Sequence, residues 1–311
     1  MKLRVRGAGM ALFALILAIG LFGPTRTAHG QSPSKDTEAA NKKGDEFYHQ
    51  NKFKEAVEAY KAALAGDPDN DHAMEFIALS YSKTGDRASA RDWMQKRVDK
   101  PGQSPSIKAR VLTDIALLYW DEADMRSAAQ RAGLTAAGSA GDIDKLIGSG
   151  TDSAQKAVAI APRSVRAFNL LNLLNREAAL LEPDPSKQKE YIEKADAALR
   201  QCIQFFDAMP QVVQSDGMFA TPMVVAGAAG ATKLGPAKTT VADEFRNAKG
   251  DSVTVEVFVG ADGKVAFPRL IAGKGKLAED LLAACRKWQF EPATFDGHAV
   301  AVVQSVTFPS K

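Results

Sequence analysis

A period of 34 residues is the feature of this sequence that most restricts what the chain can fold into. Each copy holds a small residue and an aromatic one, then a second small residue with a large one four positions further on. The matched pairs are Gly44 and Ala78, Phe47 and Tyr81, Ala56 and Ala90, and Tyr60 and Met94. This spacing is typical of two helices that cross closely at the small residues. A helix pair cannot bury its apolar face alone, so the copies are expected to stack.

The same residues resemble the tetratricopeptide repeat, a helix–turn–helix unit that sets a glycine and an aromatic residue before an Ala-x3-aromatic pair and a closing proline. Pro68 supplies the closing proline of the first copy. After residue 101 the period drifts, so the chain has two clear copies and roughly two degenerate ones. The resemblance implies an N-terminal helical solenoid over residues 31–206.

The resemblance also implies a place for partners, because polypeptides lie along the first helix of each pair in this family. The residues on these helices that are predicted to face a partner are Asn41, Asp45, Tyr48, Glu75, Leu79 and Ser82. The alternative is an ordinary solvated helix face that holds no ligand.

A change of composition marks residues 207–237, which contain Gly, Ala and Pro without periodicity. A stretch of this length exceeds the usual connections inside compact domains. We therefore place a linker at residues 207–237, between the helical array and a C-terminal domain at residues 238–311.

The C-terminal domain opens with alternating valines from Val253 to Val259, which predict a strand. Asp262-Gly263 is typical of a hairpin turn into a second strand. Apolar residues at helical spacing from Leu277 to Trp288 predict a helix, and residues 299–308 predict a final strand. The order is strand–strand–helix–strand in an antiparallel sheet, so the fold class of the whole chain is α + β.

The run from Trp288 to Gly297 resembles the C-terminal domain of TonB, in which a helix ends in a Trp-x-Phe-x-Pro-Ala run before a glycine turn and the last strand. The resemblance covers roughly residues 250–308 and implies that an extended polypeptide adds a strand to a free sheet edge. The backbone predicted to receive that strand belongs to Val300, Val302, Gln304 and Val306. The alternative is a homodimer in which this C-terminal edge pairs with a second copy.

Residues 1–30 have the order of a secretory signal peptide. A basic head precedes an apolar stretch from Ala8 to Phe22, and small residues stand just before Gln31. We expect cleavage there and a periplasmic protein; the alternative is an uncleaved helix that anchors the chain in the inner membrane, facing the periplasm. Residues 1–30 hold four of the 40 basic residues and none of the 37 acidic ones. The remainder is nearly neutral and gives no reason to expect nucleic acid as a partner.

The sequence shows no pattern that carries chemistry. Beyond residue 30 the histidines are His49, His72 and His298, and none stands at a metal-binding spacing. The sequence also has no glycine-rich phosphate loop, nucleophile elbow or Cys-x-x-Cys pair. We therefore predict a protein that is not an enzyme and has no catalytic, cofactor or metal residue.

For two groups of residues the sequence allows two interpretations. The acidic cluster of Asp121, Glu122 and Asp124 is expected to be solvated, with cation binding as the alternative. Cys202 and Cys285 are expected to be buried among apolar neighbours, with a disulfide bond as the alternative.

Together these modules predict an exported periplasmic adaptor, in which the helical array docks one polypeptide and the C-terminal domain binds an envelope protein by strand addition. A TonB-type energy-transducing component of outer-membrane transport is the first alternative, and it requires an attached N-terminal helix. An uncharacterised envelope enzyme is the second, and it requires a deep polar pocket with perturbed carboxylates.

Overall fold

The computed structural model describes residues 34–134, 139–209, 221–226 and 252–308. These residues form two compact units, a first unit that extends to Ile115 and a second unit that begins at Ala116. The predicted signal peptide at residues 1–30 lies outside the described residues. In the described part, no helix combines the length and the apolar character needed to cross a membrane.

The first unit consists of consecutive helices that pack on one another. Its helices are α1 (Lys35–His49), α2 (Phe53–Gly66), α3 (Asp71–Lys83), α4 (Arg87–Asp99) and the first part of α5 (Pro105–Arg131). The side chains of Ser34, Asn70 and Asp86 each accept a hydrogen bond from a backbone N–H in the first turn of the following helix. These caps satisfy N–H groups that have no partner inside the helix, and so fix where α1, α3 and α4 begin.

Gly44 shows why the repeat requires a small residue. A Cβ atom at this position would lie 2.5 Å from Cε1 of Tyr60, which is fully buried. Ala56, Ala78 and Ala90 are buried at the other matched small positions. The close packing predicted from the repeat is therefore present in this unit.

The second unit contains the remainder of α5, further helices and a sheet. Its other helices are α6 (Ala140–Ile160), α7 (Val165–Leu181), α8 (Pro185–Asp207) and α9 (Lys276–Cys285). Helix α7 packs against both α6 and α8. A capping box at Ser139 begins α6, and Asp184 with Pro185 begins α8.

The sheet of the second unit is mixed. Its strands are β1 (Met223–Val225), β2 (Val253–Val259), β3 (Val265–Ala272), β4 (Ala293–Phe295) and β5 (His298–Phe308). Strand β5 lies between β1 and β2, and β3 follows β2. Strand β2 is antiparallel to β3 and β5, and β4 is antiparallel to β5, whereas β1 is parallel to β5.

This topology confirms the α + β fold class and the order strand–strand–helix–strand that the sequence predicted. The three predicted strands are antiparallel to one another where they pair, as expected, but the whole sheet is mixed because it also contains β1. Strand β1 comes from a segment well upstream of β5, and it joins β5 in the parallel sense. A parallel pairing between distant segments cannot be predicted from the local alternation that indicates an antiparallel hairpin.

Both faces of the sheet are covered, and all seven residues of β2 are buried. On one face the valines of β2 form a core with Leu281, Trp288 and Phe290. On the other face Phe258 of β2 stands edge-on to Trp120 of α5, with ring centroids 6.4 Å apart. The helices of the second unit therefore share their core with the sheet.

Helices α7 and α8 also contribute to this shared core. Val165 of α7 and Leu199 and Cys202 of α8 form one apolar cluster with Val224 of β1 and Val300 of β5. This cluster lies where β1 and β5 pair. The position of β1 thus depends on the two helices as well as on the sheet.

The predicted linker at residues 207–237 contains one described strand, β1. Met223, Val224 and Val225 interrupt the Gly, Ala and Pro residues of this segment with three consecutive apolar side chains, all buried. Residues 210–220 and 227–251 lie outside the described residues. The domain boundaries predicted from composition stay predictions, except that Met223–Val225 belongs to the sheet.

Cys202 and Cys285 are both free and buried. Cys202 lies in the apolar cluster of α7, α8 and β1, and Cys285 lies in the core of α9 and β2. Burial raises the pKa of each thiol to about 12. Both residues therefore pack as small apolar side chains.

Candidate polypeptide-binding sites

The structure brings two of the predicted partner-binding residues of α1, Asp45 and Tyr48, next to α3. Nε2 of His72 lies 2.8 Å from Oδ1 of Asp45, and the hydroxyl of Tyr60 donates to the same oxygen at 2.6 Å. Burial alone would raise the pKa of Asp45, but the hydrogen bonds to His72 and Tyr60 outweigh it and hold the pKa below its ordinary value. Asp45 therefore carries a partly exposed negative charge on this face.

Aromatic rings surround that carboxylate. The ring of Tyr48 stands edge-on to Phe76 with centroids 5.0 Å apart, and the ring of His72 lies 4.6 Å from Phe76. Tyr48 and Phe76 are partly exposed, and His72 is exposed. We call Tyr48, His72 and Phe76 the aromatic face. Sequence reasoning identified Tyr48 but missed His72 and Phe76, which stand four positions apart and so lie on one side of α3.

The remaining predicted residues of the first unit have other surroundings. Glu75 is paired with Arg97 at 2.8 Å and with Arg110 at 2.9 Å, and Leu79 shares a small cleft with these residues. Ser82 is buried, and neither its hydroxyl oxygen nor Oδ1 of Asn41 has a hydrogen-bond partner among the described residues. A partner cannot reach Ser82 without a shift of the surrounding side chains.

The predicted binding edge on β5 requires a correction. Val300 pairs with Ala293 of β4, and Val302 lies between Val259 of β2 and Val224 of β1. Val300 and Val302 are fully buried. The prediction of a free edge at these two residues is wrong, because the chain supplies β4 and β1 to cover it.

The second half of β5 has a different environment. Gln304 and Val306 pair with Val257 and Val255 of β2. On the other side of β5, no described strand pairs with residues 304–307. The part of the predicted edge that has no described neighbouring strand is therefore the part that continues beyond β1.

A cluster of buried carboxylates surrounds Arg269 of β3. Its Nη1 atom donates to Asp121 of α5 at 2.8 Å, and its Nη2 atom contacts both Asp124 of α5 and Glu256 of β2. The three carboxylate side chains are 2% exposed or less. The expectation that Asp121 and Asp124 are solvated is therefore wrong. The positive charge beside them belongs to Arg269, which lies far along the chain, and takes the place of a bound metal cation.

Glu177 of α7 adds a further carboxylate to this cluster. Burial, and then the charge of Asp124, raise its pKa well above the ordinary value, although Arg131 at 3.9 Å acts in the opposite direction. Burial likewise raises the pKa of Glu256 to about 8, against the attraction of Arg269. We call Asp121, Asp124, Glu177 and Glu256 the carboxylate cluster.

Carboxyl groups with raised pKa values are typical of acid catalysts. In this cluster Asp121, Asp124 and Glu256 are directed onto Arg269 inside the core, and Glu177 is buried as well. In the described residues, no group of three or more metal-binding side chains is arranged to hold an ion. The arrangement therefore fits a polar joint between helices and sheet.

Comparison with known proteins agrees with both modules. The tetratricopeptide repeat matches residues 44–85, and the C-terminal domain of the Gram-negative bacterial TonB protein matches residues 243–309. Solved structures that resemble the chain include MamA, at 15% identity with a TM-score of 0.37 over 54% of this chain and 81% of that one. Another is TTC0263, a thermophilic tetratricopeptide protein of Thermus thermophilus, at 15% identity with a TM-score of 0.33 over 55% and 75% of the two chains. No curated protein matches the chain.

Proposed function

Because the chain carries a tetratricopeptide repeat and a TonB C-terminal domain, we propose that it is an exported adaptor of the bacterial periplasm that binds polypeptides. The helical array docks one polypeptide on the aromatic face. The C-terminal domain holds an envelope protein by strand addition. The observation that carries the proposal is the aromatic face itself, where partly exposed rings surround a charged carboxylate.

The chemistry of the aromatic face supports a polypeptide ligand. Rings that present both a face and an edge offer apolar contact area at low cost in conformational entropy. Asp45 keeps lone pairs for donors from a peptide, since its side chain is 36% exposed. The residues of this face therefore accept a segment that combines an apolar side chain with an N–H or cationic donor.

The edge of β5 supports the second half of the proposal. Beyond β1, residues 304–307 pair with β2 on one side and with no described strand on the other. A row of backbone groups at a sheet edge is a template for an extended chain. A partner strand added there extends the line that β1 already follows.

A TonB-type transducer is the second candidate function, and the match at residues 243–309 favours it. That function requires residues 1–30 to stay attached as a membrane anchor. The mass of the mature protein from bacterial cells distinguishes the two: the adaptor begins at Gln31, whereas an anchored transducer retains Met1. A mature chain that begins at residue 1 or 2 and stays in the membrane fraction would contradict the periplasmic adaptor.

Capture from an envelope extract tests the aromatic face. The full-length chain, Tyr48→Ala and Tyr191→Ala are immobilised separately, and the bound polypeptides are quantified by mass spectrometry. Tyr191 is a matched control, because it is a partly exposed tyrosine on α8. We expect the bound amount of at least one polypeptide to fall about fivefold or more with Tyr48→Ala and to stay unchanged with Tyr191→Ala.

Circular dichroism establishes that the Tyr48→Ala variant is folded. If it is folded and every polypeptide binds as strongly as to the unaltered chain, the aromatic face is not a docking site.

A further inference from the structure

The backbone of β1 is held on both of its sides, by helix side chains on one and by a strand on the other. On the helix side, Asn169 of α7 donates to the carbonyl of Thr221 and accepts from the N–H of Met223, each at 3.0 Å. Asn172 of α7 donates to the carbonyl of Met223 at 2.6 Å. Two asparagines thus occupy the positions that a neighbouring strand would occupy.

On the strand side the partners belong to β5. The N–H of Ala301 donates to the carbonyl of Pro222 at 2.9 Å, and the N–H of Ala226 donates to the carbonyl of Val303 at 2.8 Å. Thr221 and Met223 therefore direct backbone groups to α7, whereas Pro222 and Ala226 direct theirs to β5. This alternation is what an extended peptide requires when it lies in a groove with polar groups along both walls.

The wall formed by α7 is fixed independently of β1. Nε of Arg176 donates to Oδ1 of Asn172 at 2.8 Å, and Nη2 of Arg176 donates to Asp196 of α8 at 2.6 Å. Arg176 is fully buried. Asn172 therefore directs its amide group toward the groove because the oxygen of its side chain is already held by α7 and α8.

The chemistry of the groove selects an extended apolar segment. All the hydrogen bonds to β1 reach its backbone, so they do not depend on its side chains. Met223, Val224 and Val225 are 2% exposed or less, which restricts the central three residues to apolar ones. Any chain with three such residues in extended form can make the same bonds in the same parallel direction.

We propose that β1 is a resident ligand of this groove between α7 and β5, and that a partner strand must displace it to occupy the same place. This proposal rests on the strand-binding role proposed above for residues 304–307 of β5 and extends it to residues 301–303, which β1 covers. The segment is joined to the rest of the chain through 11 residues on one side and 25 on the other, residues 210–220 and 227–251.

A peptide in trans tests the competition. The probe is a fluorescently labelled hexapeptide with the sequence of Thr221–Ala226, titrated into the full-length chain and into Val224→Asp. Val224 is fully buried, so the charge removes the tethered segment from the groove. We expect the probe to bind Val224→Asp at least about tenfold more tightly than the unaltered chain. A probe that carries the same Val-to-Asp change should not bind either protein.

The asparagines supply the matched control within that experiment. Adding Asn172→Ala to Val224→Asp should weaken the recovered binding, whereas adding Asn175→Ala should not. Asn175 stands one position from Arg176 on the same helix, and its amide donates to the carbonyl of Leu171 in its own helix. Equal effects of the two changes would overturn the assignment of the α7 wall.

A disulfide lock keeps the proposal testable if Val224→Asp does not fold. Met223 and Ala301 lie opposite each other in the parallel register, so Met223→Cys with Ala301→Cys can hold β1 in place. We expect the oxidised form to bind no probe and the reduced form to bind at least as well as the unaltered chain. Binding that is equal in the oxidised and reduced forms would overturn the proposal. The adaptor function would survive that result, because its test depends on Tyr48 in the first unit.

Discussion

Each compact unit contains a buried arginine that contacts several carboxylates, Arg97 in the first and Arg269 in the second, and the two sites differ in their access to water. In the first unit Arg97 is 4% exposed, but its partners Asp71 and Glu75 have side chains that are 27% and 28% exposed. In the second unit the carboxylates on Arg269 are 2% exposed or less. The carboxylates that contact Arg97 in the first unit therefore lie at a partly exposed rim, whereas those that contact Arg269 in the second unit are enclosed.

This difference decides which carboxyl groups stay ionised. At Asp71 burial acts to raise the pKa, but the hydrogen bonds from Arg97 and Gln103 and the nearby positive charges together outweigh it, and the pKa is lowered. At Glu256 burial is stronger than the attraction of Arg269, and the pKa rises to about 8. An arginine therefore compensates for partial burial of a carboxylate, but not for complete burial of several.

The largest expected effect comes from removing the enclosed arginine. Arg269→Met removes the cation that buried Asp121, Asp124 and Glu256 contact, and we expect a loss of about 3–5 kcal/mol in the free energy of unfolding. Arg97→Met should cost about 1–2 kcal/mol, since Asp71 keeps Gln103 and Glu75 keeps Arg110 as partners.

Tryptophan fluorescence follows each unit during denaturant unfolding. Trp93 lies in the first unit, and Trp120 and Trp288 lie in the second, so a Trp93→Phe background isolates the second. Equal losses for the two arginine variants would remove the distinction between rim and enclosed charge.

The pH dependence of stability should have opposite signs in the two units. The pKa of Glu256 is raised in the folded state, so its contribution is complete below about 4.5 and is lost as the pH rises through about 8. In that window the second unit should lose about 1.4 kcal/mol per pH unit from this group. The pKa of Asp71 is lowered, so its contribution is present above 3.8 and is lost as the pH falls through the folded value.

Glu256→Gln is the variant that sharpens this test, because it keeps the shape and removes the ionisable group. The second unit of this variant should be less sensitive to pH between 5 and 9 than the unaltered unit, by the same fluorescence measurement. An unchanged slope would assign the pH dependence to other members of the carboxylate cluster, such as Glu177.

Removing a buried side-chain amide should cost more stability than removing a neighbouring amide that bonds only within its own helix. Asn172→Ala leaves the carbonyl of Met223 and one N–H of Arg176 without their partner, and we expect a loss of about 2 kcal/mol. Asn175→Ala should cost less than about 0.5 kcal/mol, because its amide bonds only to the backbone of its own helix and alanine favours the helix. Losses of the same size would show that the contacts to β1 add little.

An effect smaller than that of Asn172→Ala is expected at the rim of the first unit. Tyr60→Phe removes a hydrogen bond to Asp45, which keeps His72 and contact with water. We expect a loss of about 1 kcal/mol, followed by Trp93 fluorescence. A loss as large as that of Asn172→Ala would show that this hydrogen bond contributes as much stability as the enclosed interactions of the second unit.

Local features of the chain were enough to predict most of the fold. The 34-residue period predicted where small residues such as Gly44 meet large ones such as Tyr60, because size and spacing within one helix pair determine that contact. The alternating valines from Val253 to Val259 and the apolar stripe from Leu277 to Trp288 predicted a strand and the helix of the C-terminal domain, and the run from Trp288 to Gly297 carried the resemblance to the TonB domain. The candidate site was predicted less well: Tyr48 and Asp45 lie on the aromatic face, but Ser82 is buried.

The sequence by itself determined the helix pairs, the α + β class and the two modules, because each depends on a pattern of residues that are close together in the chain. The tertiary structure alone decided that Asp124 meets Arg269 across 145 residues and that Met223–Val225 becomes a strand. Neither has a local pattern. The charge of Asp124 is satisfied by an arginine from a distant strand, and β1 obtains its hydrogen bonds from α7 and β5, so both depend on partners that only the folded chain brings together.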